Sequence, residues 1–229
     1  MNKVIGVLVG LVVLASIGIF LLVSNIDGIV KNVIESVGTE VTGTDVSVGS
    51  VSIDLKTGKG TIKGLSIENP DGYESGDAFR LEEITLALDI NSLSGEPVII
   101  NQIIVDGATV NYLAKGKDSN LQTIMNNVNS GGGSSGGDAA SDEEGASTKI
   151  IIDEFRFTNA SMNLSVVGVP GTEKNMVLDD VVSKNVGRSQ NGVEPAEAAA
   201  IIMEPVIRKA VNTALNESGV MDKVKGLFR

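Results

Sequence analysis

The sequence predicts an α+β fold: a single N-terminal transmembrane helix, then a curved, mainly antiparallel β-sheet with amphipathic helices packed on it. Three observations carry this. Val4 to Val23 is an apolar run without a charge. Between Val46 and Leu113, apolar and polar residues alternate with a period of two, interrupted at intervals by a one-residue slip. Two further segments, one after the apolar run and one near the C-terminus, place apolar residues at helical spacing.

The slips organise the chain. Val46 and Val48 are followed by Val51, Ile53 and Leu55, so the alternation shifts at Gly49-Ser50. Ile62 then Leu65 and Ile67 shift around Lys63-Gly64, and Phe79 and Leu81 then Ile84, Leu86, Leu88 and Ile90 shift around Glu82-Glu83. A period of two puts alternate side chains on one face of a sheet. An uncompensated slip would turn every later apolar residue to the wrong face. A β-bulge restores the face and bends the strand. Slips in successive strands therefore predict a curved sheet with one apolar face, which the helices must cover.

Composition narrows the function. Eighteen basic against 29 acidic residues give a net charge of −11, which argues against nucleic acid as a partner. There is no cysteine and no histidine, so disulfides, thiol chemistry, His-containing triads and the commonest metal ligand are all excluded. No tryptophan and 3% aromatic residues leave little for stacking on bases or sugars. No cofactor and no metal site is expected.

The elements follow in order. About 20 residues span a hydrocarbon core of roughly 30 Å, and Val4 to Val23 has that length. An uncleaved anchor is preferred to a cleaved signal peptide, because the run exceeds a typical signal core and no small-x-small site follows. Lys3 lies before the run and Asp27 is the first charge after it, placing the N-terminus in the cytoplasm and the body beyond the membrane. From Asn25 to Val41, the spacing of Ile26, Ile29, Val30, Val33, Ile34, Val37 and Val41 predicts an amphipathic helix, with Asp27, Lys31, Asn32 and Glu35 on the other face. Thr57-Gly58-Lys59-Gly60 reads as a hairpin turn; it lacks the spacing of a phosphate loop.

Val98 to Tyr112 contains strand, the turn Asp106-Gly107, and strand. Its pattern returns 52 residues later: Ile99-Ile100-Asn101-Gln102-Ile103 lines up with Ile151-Ile152-Asp153-Glu154-Phe155, and Val110-Asn111 with Met162-Asn163. This is an internal strand-turn-strand repeat. Between the copies lie a short amphipathic helix, Asn120 to Val128, and a Gly/Ser-rich, acidic stretch read as a flexible linker. Asp142-Glu143-Glu144 lacks the spacing of a calcium loop. Adjacent carboxylates at Glu82-Glu83, Asp153-Glu154 and Asp179-Asp180 sit at slips, and are read as water-facing bulge residues rather than acid/base pairs. Glu194-Pro195 opens a last helix reaching about Glu217, which Pro205 is expected to kink or interrupt. The resulting organisation is 1–24 cytoplasmic tip and anchor, 25–129 helix plus sheet, 130–148 linker, 149–193 continuation of the sheet, and 194–229 C-terminal helix and tail.

From Val48 to Asn120 the order of elements resembles the N-terminal region of AsmA-family proteins. The carrying residues are Val51-Ser52-Ile53-Asp54, Gly58-Lys59-Gly60, Leu65-Ser66-Ile67-Glu68-Asn69-Pro70, Leu81-Glu82-Glu83-Ile84, Ser92-Leu93, Pro97-Val98-Ile99-Ile100, Ile103-Ile104-Val105-Asp106-Gly107 and Asn120-Leu121. The second copy, Ile150 to Leu164, is similar to that family's recurring strand unit. The resemblance implies a β-groove related to bridge-like lipid-transfer proteins, at the inner membrane with a periplasmic body, acting in phospholipid traffic or outer-membrane homeostasis. It supplies no catalytic residues. About ten strands at roughly 4.8 Å would give a groove of about 50 Å, short for a one-molecule bridge.

Two non-enzymatic functions follow. One is a groove that binds or helps move phospholipid, lined by Val51, Ile53, Leu65, Ile67, Leu86, Leu88, Ile103, Val105, Phe155 and Phe157. The other is a structural or adaptor protein of the envelope, its groove filled by its own helices and its action exerted through copies of itself or a protein partner. An enzyme working through carboxylates such as Asp153 and Glu154 ranks last. The same apolar residues serve a groove or an ordinary core, so the sequence leaves these open.

Overall fold

The computed structural model describes residues 26–130 and 148–216. Helix α1 (Ile26–Thr42) leads into strands β1 (Val46–Asp54), β2 (Lys59–Glu68) and β3 (Asp77–Leu88), a short 3-10 turn (Ile90–Ser94), and β4 (Val98–Asp106) and β5 (Thr109–Lys115). The two-residue β6 (Asp118–Ser119) precedes α2 (Asn120–Asn129). Then come β7 (Ile150–Thr158), β8 (Ser161–Val166), β9 (Lys174–Val177), β10 (Val181–Val186) and α3 (Pro195–Asn216). All ten strands belong to one sheet.

The slips line up from strand to strand, but they are not the β-bulges expected, since no register shift falls at them. Gly49-Ser50 in β1, Lys63-Gly64 in β2 and Glu82-Glu83 in β3 are each two successive exposed residues in an otherwise alternating strand. Pairing runs through them without loss of register: Val48↔Leu65 and Ser50↔Lys63 set Gly49 opposite Gly64, and Lys63↔Glu83 and Leu65↔Leu81 set Gly64 opposite Glu82. The row continues. Ile84↔Val105 and Phe79↔Val110 belong to one antiparallel register, so β4 and β5 are halves of a single bent strand, and Gly107 falls opposite Glu82. In the same way β7 and β8 are one bent strand, and β9 and β10 another. The bend of each lies in the same row, at Asn159 and at Asp179. Gly64, Gly107 and Asn159 hold φ of 62°, 73° and 53°, the left-handed region that glycine and asparagine enter at least cost. The sheet is thus six layers with one crease across them all.

Among the described residues, the 52-residue repeat supplies the sheet's only parallel pairing. Val98↔Ile150, Ile103↔Phe155, Val105↔Phe157, Val110↔Met162 and Leu113↔Ser165 share one offset across both halves, so the second copy lies on the first in exact translation. Side chains ladder along it: Asn163 Nδ2 donates to Asn111 Oδ1 at 2.9 Å, and Gln102 Nε2 to Glu154 Oε1 at 3.0 Å.

Helix α1 runs antiparallel to the edge strand β1 and fastens to it. The edge N–H groups of Val46, Val48 and Ile53 donate to Thr39 Oγ1, Glu35 Oε1 and Asp27 Oδ1 at 3.1, 2.8 and 2.9 Å. An unpaired edge is a template for aggregation; here side chains of the helix occupy it. Asp27 and Glu35, expected to face away from the sheet, therefore hold it. Across the far side of the same face lies α3, against β7, β10 and β5. At one end α2 joins the two helices: Asn127 Nδ2 donates to Thr42 O at 2.7 Å, and Leu121 and Ile124 are fully buried.

Several expectations are corrected. The sheet is mixed: the two repeat copies pair in parallel among antiparallel neighbours, because parallel strands need a long crossover and the segment between the repeats, α2 included, supplies it. Asp106-Gly107 is a bend within a strand rather than a turn between two. Six layers at roughly 4.8 Å leave about 24 Å across the strands rather than about 50 Å. Pro205 lies inside an unbroken helix. The carbonyl it leaves without a helical donor belongs to Ile201, an exposed residue. Among the described residues no helix is long and apolar enough to cross a membrane. The expected transmembrane helix falls on residues 1–24, outside the described residues, as does nearly all of the linker.

Candidate apolar binding trough

The helices do not fill the face they cover. Between α1, α3 and the sheet lies a cavity of about 410 Å³. Its floor is β2 to β4 and β7, with Leu65, Ile67, Phe79, Leu86, Ile103, Val105, Phe155 and Phe157; its walls include Val30, Val33, Ile34 and Val37 of α1 and Ala198, Ala199, Ile202 and Met203 of α3. No charged side chain lines it. The one polar side chain, Thr42, has its hydroxyl taken up by the carbonyl oxygens of Gly38 and Thr44 at 2.7 and 3.1 Å.

The trough is closed at one end and open at the other. Near α2 the walls are solid: Val41, Thr42, Val206, Ile207 and Ala210 are all buried. Toward the starts of α1 and α3 they thin out. Val33 is 43% and Ile201 37% exposed, and Leu86, Ile100 and Ile150 on the floor are only half-buried. Asp27 bonded to Ile53, and Val193 paired with Ile150, fix both helix starts at this end. Of the eight exposed large apolar side chains among the described residues, five also belong here: Ile29, Val33 and Ile201 on the helices, Ile90 and Leu93 on the 3-10 turn after β3.

Of the ten residues expected to line a groove, seven lie on this cavity: Leu65, Ile67, Leu86, Ile103, Val105, Phe155 and Phe157. Val51 and Ile53 pack into the core from the edge strand β1, which α1 covers. Leu88 lies beyond the register shift between Ala87 and Leu88, which takes it out of the floor. The sequence reading missed the walls. Its signal was the run Ala198-Ala199-Ala200 at the start of α3, small residues that leave space where a covering helix would otherwise carry bulk.

The paired carboxylates sit apart from the trough and have partners. Lys63 bridges Glu83 at 3.1 Å, Arg188 bonds Asp153, Glu154 meets Arg156 and Lys184 at 3.4 and 3.5 Å, and Lys209 meets Asp179 at 2.6 Å. The amide of Gln102, with Arg156 and Lys184, holds the Glu154 carboxyl below its usual range. Among the described residues no group of three or more acidic residues is placed to hold a metal ion.

A scan of the chain against known protein families finds no match, and a search of curated proteins finds no relative.

Proposed function

We propose that the trough binds the hydrocarbon chain of a lipid, and that the protein serves lipid handling in a cell envelope without acting as an enzyme. The observation that supports this is a cavity of about 410 Å³, lined by apolar side chains, open at one end and rimmed there by exposed apolar residues. Burial of each methylene favours binding by about 0.8 kcal/mol, and no buried polar group has to be satisfied by the ligand. An apolar rim of this kind suits contact with a membrane, from which chains would enter. The likeness to the AsmA family enters as a likeness of pattern alone, and transfer as well as binding belongs to that part of the proposal.

The closed half, packed like an ordinary core, favours a second reading: an adaptor whose helices cover the sheet permanently and which acts through a protein partner. Native mass spectrometry with lipid extraction on the full chain separates the two. Co-purifying lipid near one per chain supports the trough. A lipid-free chain that also takes up no added amphiphile overturns it.

A further inference from the structure

The trough's dimensions go further than its polarity. Its floor extends along β3 from Phe79 to Leu86, seven residues or roughly 24 Å at strand rise. Spread over that length, about 410 Å³ is a narrow bore. That places it toward the small end of ordinary ligand sites, roughly 300–1,000 Å³, which favours one chain over two. Leu121 and Ile124, fully buried in α2 at the closed end, leave a longer chain no exit. Resting on the reading above, we infer that the site takes a single-chain amphiphile, a fatty acid or a lysophospholipid, and selects by chain length rather than by headgroup.

The headgroup half follows from what lines the site. The trough's polar side chain, the Thr42 hydroxyl, is already engaged at the α2 end, so a polar head has no partner inside and stays at the mouth. Charges at the mouth are mixed, with Lys31, Lys56, Lys59 and Lys149 among Asp27, Asp54, Asp89 and Glu197, and select neither sign.

The test is displacement of anilinonaphthalene sulfonate from the delipidated full chain. The competitors are saturated fatty acids of graded length, lysophosphatidylcholines of the same lengths, and a two-chain phosphatidylcholine. Affinity is expected to rise about fourfold per methylene and to level off once the chain reaches the closed end. Fatty acid and lysolipid of equal length should agree within a few-fold, and the two-chain lipid should gain nothing over its single-chain counterpart. Ala199→Trp, which fills the wall, should move the plateau to shorter chains; Leu86→Phe does the same from the floor if the first variant folds poorly. Affinity that keeps rising across the whole series with no plateau, or a two-chain lipid that outcompetes both, overturns the single-chain inference and leaves lipid binding standing. A strong preference for one head overturns the headgroup half. Displacement by no chain of any length overturns the lipid reading itself.

Discussion

Asp106 and Asn159 meet across the crease, the asparagine donating Nδ2 to Asp106 Oδ1 at 2.7 Å. They occupy the bends of the two repeat copies, and Thr158 Oγ1 adds a second bond to the same oxygen at 2.9 Å. The Asn159 amide first, and then the Thr158 hydroxyl, hold the Asp106 carboxyl below the ordinary value of 3.8. A carboxyl depressed in the folded state stabilises fully above its unfolded pKa and loses that contribution as pH falls through the lower folded one. Asp106→Asn should therefore be less stable than the wild type near neutral pH, and the gap should shrink below about pH 4. Urea unfolding midpoints at the two ends of that range decide it; a gap that does not change with pH removes Asp106 from the account.

Asn120 is the most fully engaged polar residue of the core. Completely buried, it donates Nδ2 to Asn111 O and Asn69 Oδ1, both at 2.7 Å, while its Oδ1 accepts from the N–H groups of Leu113 and Leu121 at 2.9 and 2.8 Å. It ties β5, the loop after β2 and the start of α2 to one side chain. Asn120→Ala leaves four groups unpaired and should cost about 3 kcal/mol. A loss well under 1 kcal/mol in thermal or denaturant unfolding would mean water replaces the amide.

Glu35 guards the β1 edge through its bond from Val48 N–H. Removing it in Glu35→Ala should cost about 1 kcal/mol and leave part of an edge strand open. The far edge is blunted differently, by Lys184 and by a local break at Asn185, where φ is +57° and the Asn185 pair drops out of an otherwise constant register. With one guard lost, the variant is expected to associate faster on mild heating than the wild type, read by light scattering. Equal rates would show that the bond is incidental to solubility.

The two copies solve the crease differently, with glycine at 107 and asparagine at 159. Nothing lies within 4 Å of a Cβ built on Gly107, so only backbone conformation limits substitution there. Gly107→Val should cost about 1–2 kcal/mol, and Gly107→Asn clearly less, since asparagine already serves that place in the second copy. Similar losses for the two would point to the missing Cβ rather than to the φ.

Much of this architecture is visible in the residues. The glycine and carboxylate pairs at the slips mark the crease, and Ile99 to Ile103 against Ile151 to Phe155 marks the repeat with its later register. What escaped depends on partners distant in sequence. Asp-Gly is a strong local turn signal, so Asp106-Gly107 reads as a reversal until β3 is seen pairing with both flanking strands. Asp27 and Glu35 read as water-facing because helical periodicity sorts residues by polarity, and a strand edge wants polar side chains too. The floor of the trough was legible as an alternation of apolar residues; that it stays uncovered depends on small side chains in a helix far along the chain.

The constant offset between the copies has a consequence for growth. Two units related by pure translation present the same face fore and aft, as successive planes of a crystal do, so a third could be laid on the second with no new contact invented. The strand formed by β9 and β10 lies on that plane in the opposite sense and poisons it. A duplication inserted ahead of Lys174 would widen the sheet beneath the trough by one strand spacing, whereas one placed after Val186 would find no matching plane to grow from.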